Sequence, residues 1–261
     1  MNDIRRHPLL AGVLAAVSAL GTSLATAKVI ATEEFETGTT RPASIVVLPS
    51  EVELSKQKLV RQEAQVEESG ALEVHLTAAV AEQFRARGYE VSVVEAEEIA
   101  SDPVLQELVV DANRRFSELL TNVGAKLGKG KSVRNREYNA GDEAKLLAAR
   151  LDVDALAFAR MQIVAPAAGV RALNMGMGGE SSMLSVTIVD GVSGDVEAFI
   201  TLPVMGRGKM FGGHDAIVEN PEYEMSNYAT ATLEGIPEAD PELRVANNSD
   251  DVVSDLESLL E

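Results

Sequence analysis

A series of short apolar runs, separated by stretches whose apolar residues recur every three or four positions, constrains this chain more than any other feature. Ala43–Leu48 (ASIVVL) is continuous and stops at Pro49, the pattern of a strand buried on both faces. Glu90–Val94 alternates and is rich in β-branched residues, and Ala155–Ala159 is apolar before it alternates through Arg160, Met161, Gln162 and Ile163. Met183–Val189 and Val196–Leu202 flank Asp190–Asp195, whose Asp, Ser and Gly residues form turns, so they predict an antiparallel hairpin. Between these runs, Leu72, Leu76, Ala79, Val80 and Phe84 fall on one helical face closed by Gly88. Asp102-Pro103 is a helix start, with a capping carboxylate before a proline whose missing N–H costs nothing there. The apolar stripe from Leu105 to Val123 predicts a helix roughly 30 Å long at about 1.5 Å per residue. Ala144, Leu147, Ala148 and Leu151 mark a shorter one. The expected order is β-α-β-α-α-β-β-β, an α/β fold with helices packed on a mixed sheet and a C-terminal hairpin. Residues 51–68 are polar and read as a long loop or the exposed start of a helix.

The N-terminus points to export. Arg5 and Arg6 precede an apolar stretch from Leu9 to Leu20, and Ala25-Thr26-Ala27 supplies small residues at a cleavage position, so residues 1–27 read as a signal peptide. Retention as an anchor is the competing reading, but a span needs about 20 apolar residues, and Gly21, Thr22 and Ser23 interrupt the run. The resulting organisation is signal peptide 1–27, flexible leader 28–42, α/β domain 43–205, and a mobile acidic tail 206–261. Within that tail Val252, Val253, Leu256, Leu259 and Leu260 form the stripe of a terminal amphipathic helix suited to a partner. The chain has no cysteine, which excludes disulfides, thiolate chemistry and the lipid-bearing cysteine of lipoproteins. A periplasmic protein held together by its core alone is the expectation, with no integral membrane segment once the signal is removed.

The formal charge is −18, and removal of a segment carrying Asp3, Arg5 and Arg6 takes it to −19. Such acidity disfavours nucleic acid, whose binding releases counterions from clustered cations. Against that background Lys126, Lys129, Lys131, Arg134 and Arg136 form a basic loop that could meet an anionic partner, or could neutralise the negative end of the long helix. Gly128-Lys129-Gly130-Lys131-Ser132 fails as a phosphate loop, since Ala125 stands where a glycine is required and a helix precedes it instead of a strand. His75 and His214 are too far apart in sequence to suggest a metal pair. Met175, Met177, Met183, Met205 and Met210 could offer thioethers to cuprous ion or act as adaptable apolar contacts. Nothing in the spacing of the carboxylates selects an acid–base pair, and Ser182 and Ser185 sit in no nucleophile elbow.

Four segments carry a resemblance. Ser44–Pro49 is similar to an opening strand ended by proline, and Val80–Val94 to the helix, glycine and strand that follow it. Leu147–Ala159 resembles a helix, short turn, Asp and apolar strand, and Val186–Phe199 a late hairpin turned by Asp and Ser-Gly. Together they resemble the small α/β domain shared by the TolB N-terminal domain, the curli secretion lipoprotein CsgG and penicillin-binding-protein activator lipoproteins. That resemblance implies a periplasmic adaptor working through protein contacts, with neither catalysis nor a cofactor. A small-molecule or metal-binding protein, or a hydrolase, using the Met- and Gly-rich region 173–213 is the alternative.

Overall fold

The computed structural model describes residues 26–39, 41–57, 62–127, 131–166, 180–205 and 214–239. Its strands are β1 (Lys28–Ala31), β2 (Ser44–Val47), β3 (Glu51–Gln57), β4 (Gln62–Ala64), β5 (Glu90–Val93), β6 (Ala155–Pro166), β7 (Ser181–Asp190) and β8 (Val196–Met205). They form one mixed sheet in the order β1-β8-β7-β6-β2-β5, with β3 continuing alongside β6 beyond the end of β2 and β4 pairing β3. β2 runs parallel to β5 and β6, and β3 parallel to β6, while the β6-β7-β8-β1 pairs are antiparallel. The α/β class with helices on a mixed sheet is therefore what the molecule adopts.

Two of the elements come from residues 51–64. Pro49 has no N–H to give the ladder, yet pairing resumes past it: Val47 faces Ala157 and Glu51 faces Arg160, so Leu48, Pro49 and Ser50 stand opposite only Phe158 and Ala159. The Ser50 N–H leaves the sheet for the Thr77 hydroxyl at 2.9 Å, which itself donates to the Glu73 carbonyl at 2.8 Å. Residues 66–68 do begin a helix, but the expectation of a loop or helix start over 51–68 is corrected for residues 51–57 and 62–64, which are strands. The residues alternate, with Val52 and Leu54 buried and Glu51 and Glu53 on the other face.

The helices are α1 (Glu33–Thr37), α2 (Val66–Ala86), α3 (Ala96–Ser101), α4 (Pro103–Leu127), α5 (Lys131–Arg134), α6 (Asp142–Leu151), α7 (His214–Glu219) and α8 (Pro221–Leu233). α4 starts as expected: the Asp102 carboxylate accepts from the N–H groups of Val104 and Leu105 at 3.0 and 3.1 Å. α2 ends at Gly88, whose φ of +86° closes the helix without a Cβ penalty.

Two apolar layers sandwich the sheet. On one face α2 lays Leu72, Leu76, Val80 and Phe84, and α8 lays Met225, Tyr228, Ala229 and Leu233, over Ala155, Ala157, Ala159 and Ala198. Those small residues let helix and sheet approach closely. On the other face Leu105, Val109, Ala112 and Phe116 of α4 pack on Val46, Leu156, Phe158 and Phe199. Phe116 stacks on Phe158 with ring centroids 4.3 Å apart. Each fully buried large side chain of this kind contributes roughly 1.5–3 kcal/mol.

The ends of the domain differ from the expected leader and tail. Residues 28–42 hold β1 and α1, with Phe35 fully buried in the first core layer. Periodicity could not show this, because β1 is four residues long and depends on pairing with β8. Beyond β8, α7 and α8 return to the sheet, and Ile217, Met225 and Leu233 are core residues. Val252, Val253, Leu256, Leu259 and Leu260, read as a terminal helix, lie outside the described residues, as do residues 1–25 of the signal segment. Among the described residues no helix is long and apolar enough to cross a membrane.

Candidate functional site

The long strands β3, β6, β7 and β8 bring polar side chains together on the sheet face opposite α2 and α8. Register sets two rows across this face. One runs Glu53, Gln162, Met183 and Pro203; the other runs Glu51, Arg160, Ser185, Thr201 and Lys28. Arg160 lies 3.6 Å from Glu51 and 3.8 Å from Glu53, Gln162 donates to Glu53 at 3.1 Å, and Ser117 of α4 donates to Glu51 at 3.2 Å. Helix α4 thus reaches the row that holds Glu51, while in the other row Glu53 and Pro203 are exposed and Met183 stays 41% exposed. Half-exposed ion pairs like these contribute little to stability. The edge of β8 from Leu202 to Met205 lies beyond the reach of β1 and is paired, among the described strands, by β7 alone.

A second cluster lies at the same end of the sheet on the helical face. The hydroxyls of Ser182 and Tyr228 are 2.6 Å apart and buried. Burial pushes the Tyr228 hydroxyl up to about 12; the Ser182 bond works against this, and Glu224 and Glu180 add to it. Glu180 accepts the His214 N–H at 2.8 Å, and the imidazole Nδ1 lies 3.2 Å from Asp215. The His214 Nε2 is buried without a hydrogen-bond partner among the described residues. No group of three His, Asp or Glu side chains among the described residues is placed to hold a metal ion.

At the opposite end Glu197 is buried in β8. It accepts from the Thr32 hydroxyl and pairs with Arg136 at 3.2 Å, and Arg136 also lies 3.8 Å from Glu34. Burial raises the Glu197 carboxyl above its ordinary value, opposed by the Thr32 bond and the Arg136 charge. Chemically this is a clamp joining β8, the start of α1 and the segment after α5.

Arg136 is one of the five cations of the basic loop, held at a left-handed φ of +52°. Lys131 and Arg134 are exposed on α5, Lys126 falls within α4, and Lys129 lies outside the described residues. Of the methionines, Met183 stands on the half-exposed face and Met205 ends β8, whereas Met175, Met177 and Met210 lie outside the described residues. His75 belongs to α2 and His214 opens α7. Sequence reasoning passed over Glu197, although a single acid inside the apolar run Val196–Leu202 is itself a signal. It also passed over Glu51 and Glu53, whose alternation with Val52 and Leu54 was legible.

No protein-family model matches the chain, and no curated protein does. Among solved structures it is similar to the PelC dodecamer from Paraburkholderia phytofirmans, at 9% identity over 82% of this chain and 98% of that one, with a TM-score of 0.38. It is also similar to the lipoprotein GNA1162 from Neisseria meningitidis, at 13% identity over 72% of this chain and 97% of that one, with a TM-score of 0.30.

Proposed function

We propose that this chain is an exported binding or scaffold protein that contributes to a cell-envelope assembly or secretion system through protein contacts, without catalysis. The observation that carries the reading is the half-exposed sheet face: Glu53, Gln162, Met183 and Pro203 in one row, beside the edge of β8 from Leu202 to Met205. A surface of mixed charge around an adaptable methionine suits a protein partner, and a strand edge that among the described strands is paired by β7 alone offers main-chain hydrogen bonds to one. The signal-like segment 1–27 supports action outside the cytoplasm.

A photo-crosslinking residue placed at Met183 or Gln162 in intact cells, with Val74 on the outer side of α2 as the comparison position, tests the reading. Defined adducts at 183 and 162 and none at 74 are expected. Monomer alone at all three positions, with unaltered envelope behaviour on deletion of the chain, would overturn it.

A further inference from the structure

We propose that the outer edge of β5 is a self-association site, where a second copy of this chain adds its own β5 antiparallel across a two-fold axis at Ser92. The site lies at the far end of the sheet from β1 and β8 and is independent of the polar face proposed above. Among the described strands β5 has β2 on one side and no strand on the other.

The parallel register decides which main-chain groups that edge offers. Ser44 faces Glu90 and Val46 faces Ser92, and the Glu90 N–H donates to the Ala43 carbonyl at 2.9 Å. Glu90 and Ser92 therefore turn their N–H and C=O groups to β2, and Val91 and Val93 turn theirs outward. Arg85 agrees with this direction, since from the end of α2 its guanidinium donates to the Val91 carbonyl at 3.3 Å. Soluble proteins protect such edges with prolines, charges or bulges. β8 has Pro203 beyond the reach of β1, whereas Val91-Ser92-Val93 carries no proline and no charge. Val91 and Val93 are half-buried against the first core layer, and Ser92 is exposed on the opposite face.

Two outward residues flanking an inward one make the edge its own complement, the condition for a closed two-fold contact. With Ser92 opposite Ser92 of the second copy, Val91 exchanges both main-chain bonds with Val93 of that copy, and Val93 with its Val91. These valines adjoin on the face covered by α2, so its apolar layer continues across the contact. α2 joins β5 through the tight turn at Gly88 and so runs back along it. Glu82, about one helical turn before Arg85, thereby comes level with Arg85 of the second copy, and both side chains are exposed. Arg85 gives up the Val91 carbonyl to the incoming N–H and meets that carboxylate instead. The symmetry supplies this pairing twice, which selects a second copy over an unrelated strand.

The chain has no cysteine, so Ser92→Cys introduces a single thiol. Opposed residues of a non-hydrogen-bonded antiparallel pair lie about 4.5 Å apart at Cα, within disulfide reach. Mild oxidation of the purified protein, in about 0.15 M salt to screen the net charge of −18, should link S92C into a dimer. Glu90→Cys, which faces Val94 of the second copy instead of its Glu90, should stay unlinked. A link at 90 and not at 92, or at neither, overturns the proposal. So does an S92C monomer whose thiol resists alkylation, because the edge would then be covered by the chain itself.

Ser92 is exposed, so Ser92→Glu and Ser92→Lys keep the fold while setting like charges face to face. Each should weaken dimerisation roughly two- to fivefold in sedimentation, and an equimolar mixture of the two should restore it. A natural chain that sediments as a monomer at every concentration, or a mixture no tighter than either variant alone, sinks the two-fold contact and leaves the polar-face reading standing.

Discussion

Ser44 and Asp154 hold each other through both side chains. The Asp154 carboxylate accepts from the Ser44 N–H at 2.9 Å and from its hydroxyl at 3.0 Å, and the hydroxyl in turn accepts the Asp154 N–H at 2.9 Å. The Ala43 N–H adds a third bond to the same carboxylate oxygen at 2.9 Å. The next residues, Ile45 and Ala155, are a register pair of two parallel strands, so this contact fixes where β2 and β6 begin relative to each other.

Removing the carboxylate with Asp154→Ala leaves several donors unsatisfied at once and should cost about 2–4 kcal/mol. Ser44→Ala removes one donor and one acceptor and should cost about 1 kcal/mol. Urea denaturation of both single variants and the double variant checks this. The double variant should lose less than the sum of the singles, since each partner's contribution depends on the other.

Gly191 makes the second close approach at this junction. Its N–H donates to the Asp154 carbonyl at 2.7 Å, and a Cβ added to it would lie 2.8 Å from that oxygen and 2.8 Å from the Ala148 Cβ. Gly191→Ala should therefore destabilise by about 1–3 kcal/mol through displaced backbone. Gly70 in α2 is the opposite case, with nothing near an added Cβ. Gly70→Ala should raise stability by about 0.5–1 kcal/mol, and the pair of thermal melts distinguishes close approach from mere flexibility.

The junction also shows how much the sequence carried. Leu147–Ala159 was legible as helix, turn, Asp and strand because a long periodic stripe and a continuous apolar run announce themselves locally. β1, α1 and β4 were not, since three to five residues hold too few positions to show a period, and their stability comes from β8, the core and β3. Pro49 was read as the end of a strand, and β2 does end at Val47; what the local pattern hid is that pairing with β6 resumes at Glu51 in β3. The basic loop was visible as composition, but the inward turn of Arg136 was not, because its partner Glu197 lies far along the chain. The half-exposed face depends on register across four strands, which no local pattern encodes.

Glu197 predicts a pH dependence with a definite sign. Burial raises its carboxyl above the ordinary value of 4.5, so between that value and the raised one the folded state holds a proton the unfolded chain has released. Stability from this group is thus fully present below about pH 4.5 and is lost as pH rises through the folded value. Glu197→Gln should remove that component, so its urea midpoint relative to the natural chain should rise as pH increases above 4.5. A constant difference would mean that Glu197 does not titrate differently on folding. Thr32→Val keeps the shape, removes the donor and the cap of α1, and should cost about 1–3 kcal/mol.

Tyr89 and Tyr228 extend the same linkage to alkaline pH. Burial pushes both hydroxyls up from 10 to about 12, against the opposing charges of Arg41 and Arg87 at Tyr89 and the opposing Ser182 bond at Tyr228. The Tyr89 hydroxyl donates to the Pro237 carbonyl at 3.0 Å, so its proton also ties the end of the described chain to the turn after α2. Between pH 10 and about 12 the folded protein keeps protons that the unfolded chain gives up, and stability falls as pH rises through that window. Absorbance titration near 295 nm should show two of the four tyrosines ionising only near 12, and unfolding should accompany them. Tyr89→Phe and Tyr228→Phe should each flatten the alkaline fall in the denaturation midpoint. If both variants kept the full slope, the fall would belong to other groups, and the burial of these two hydroxyls would not be what limits the fold in alkali.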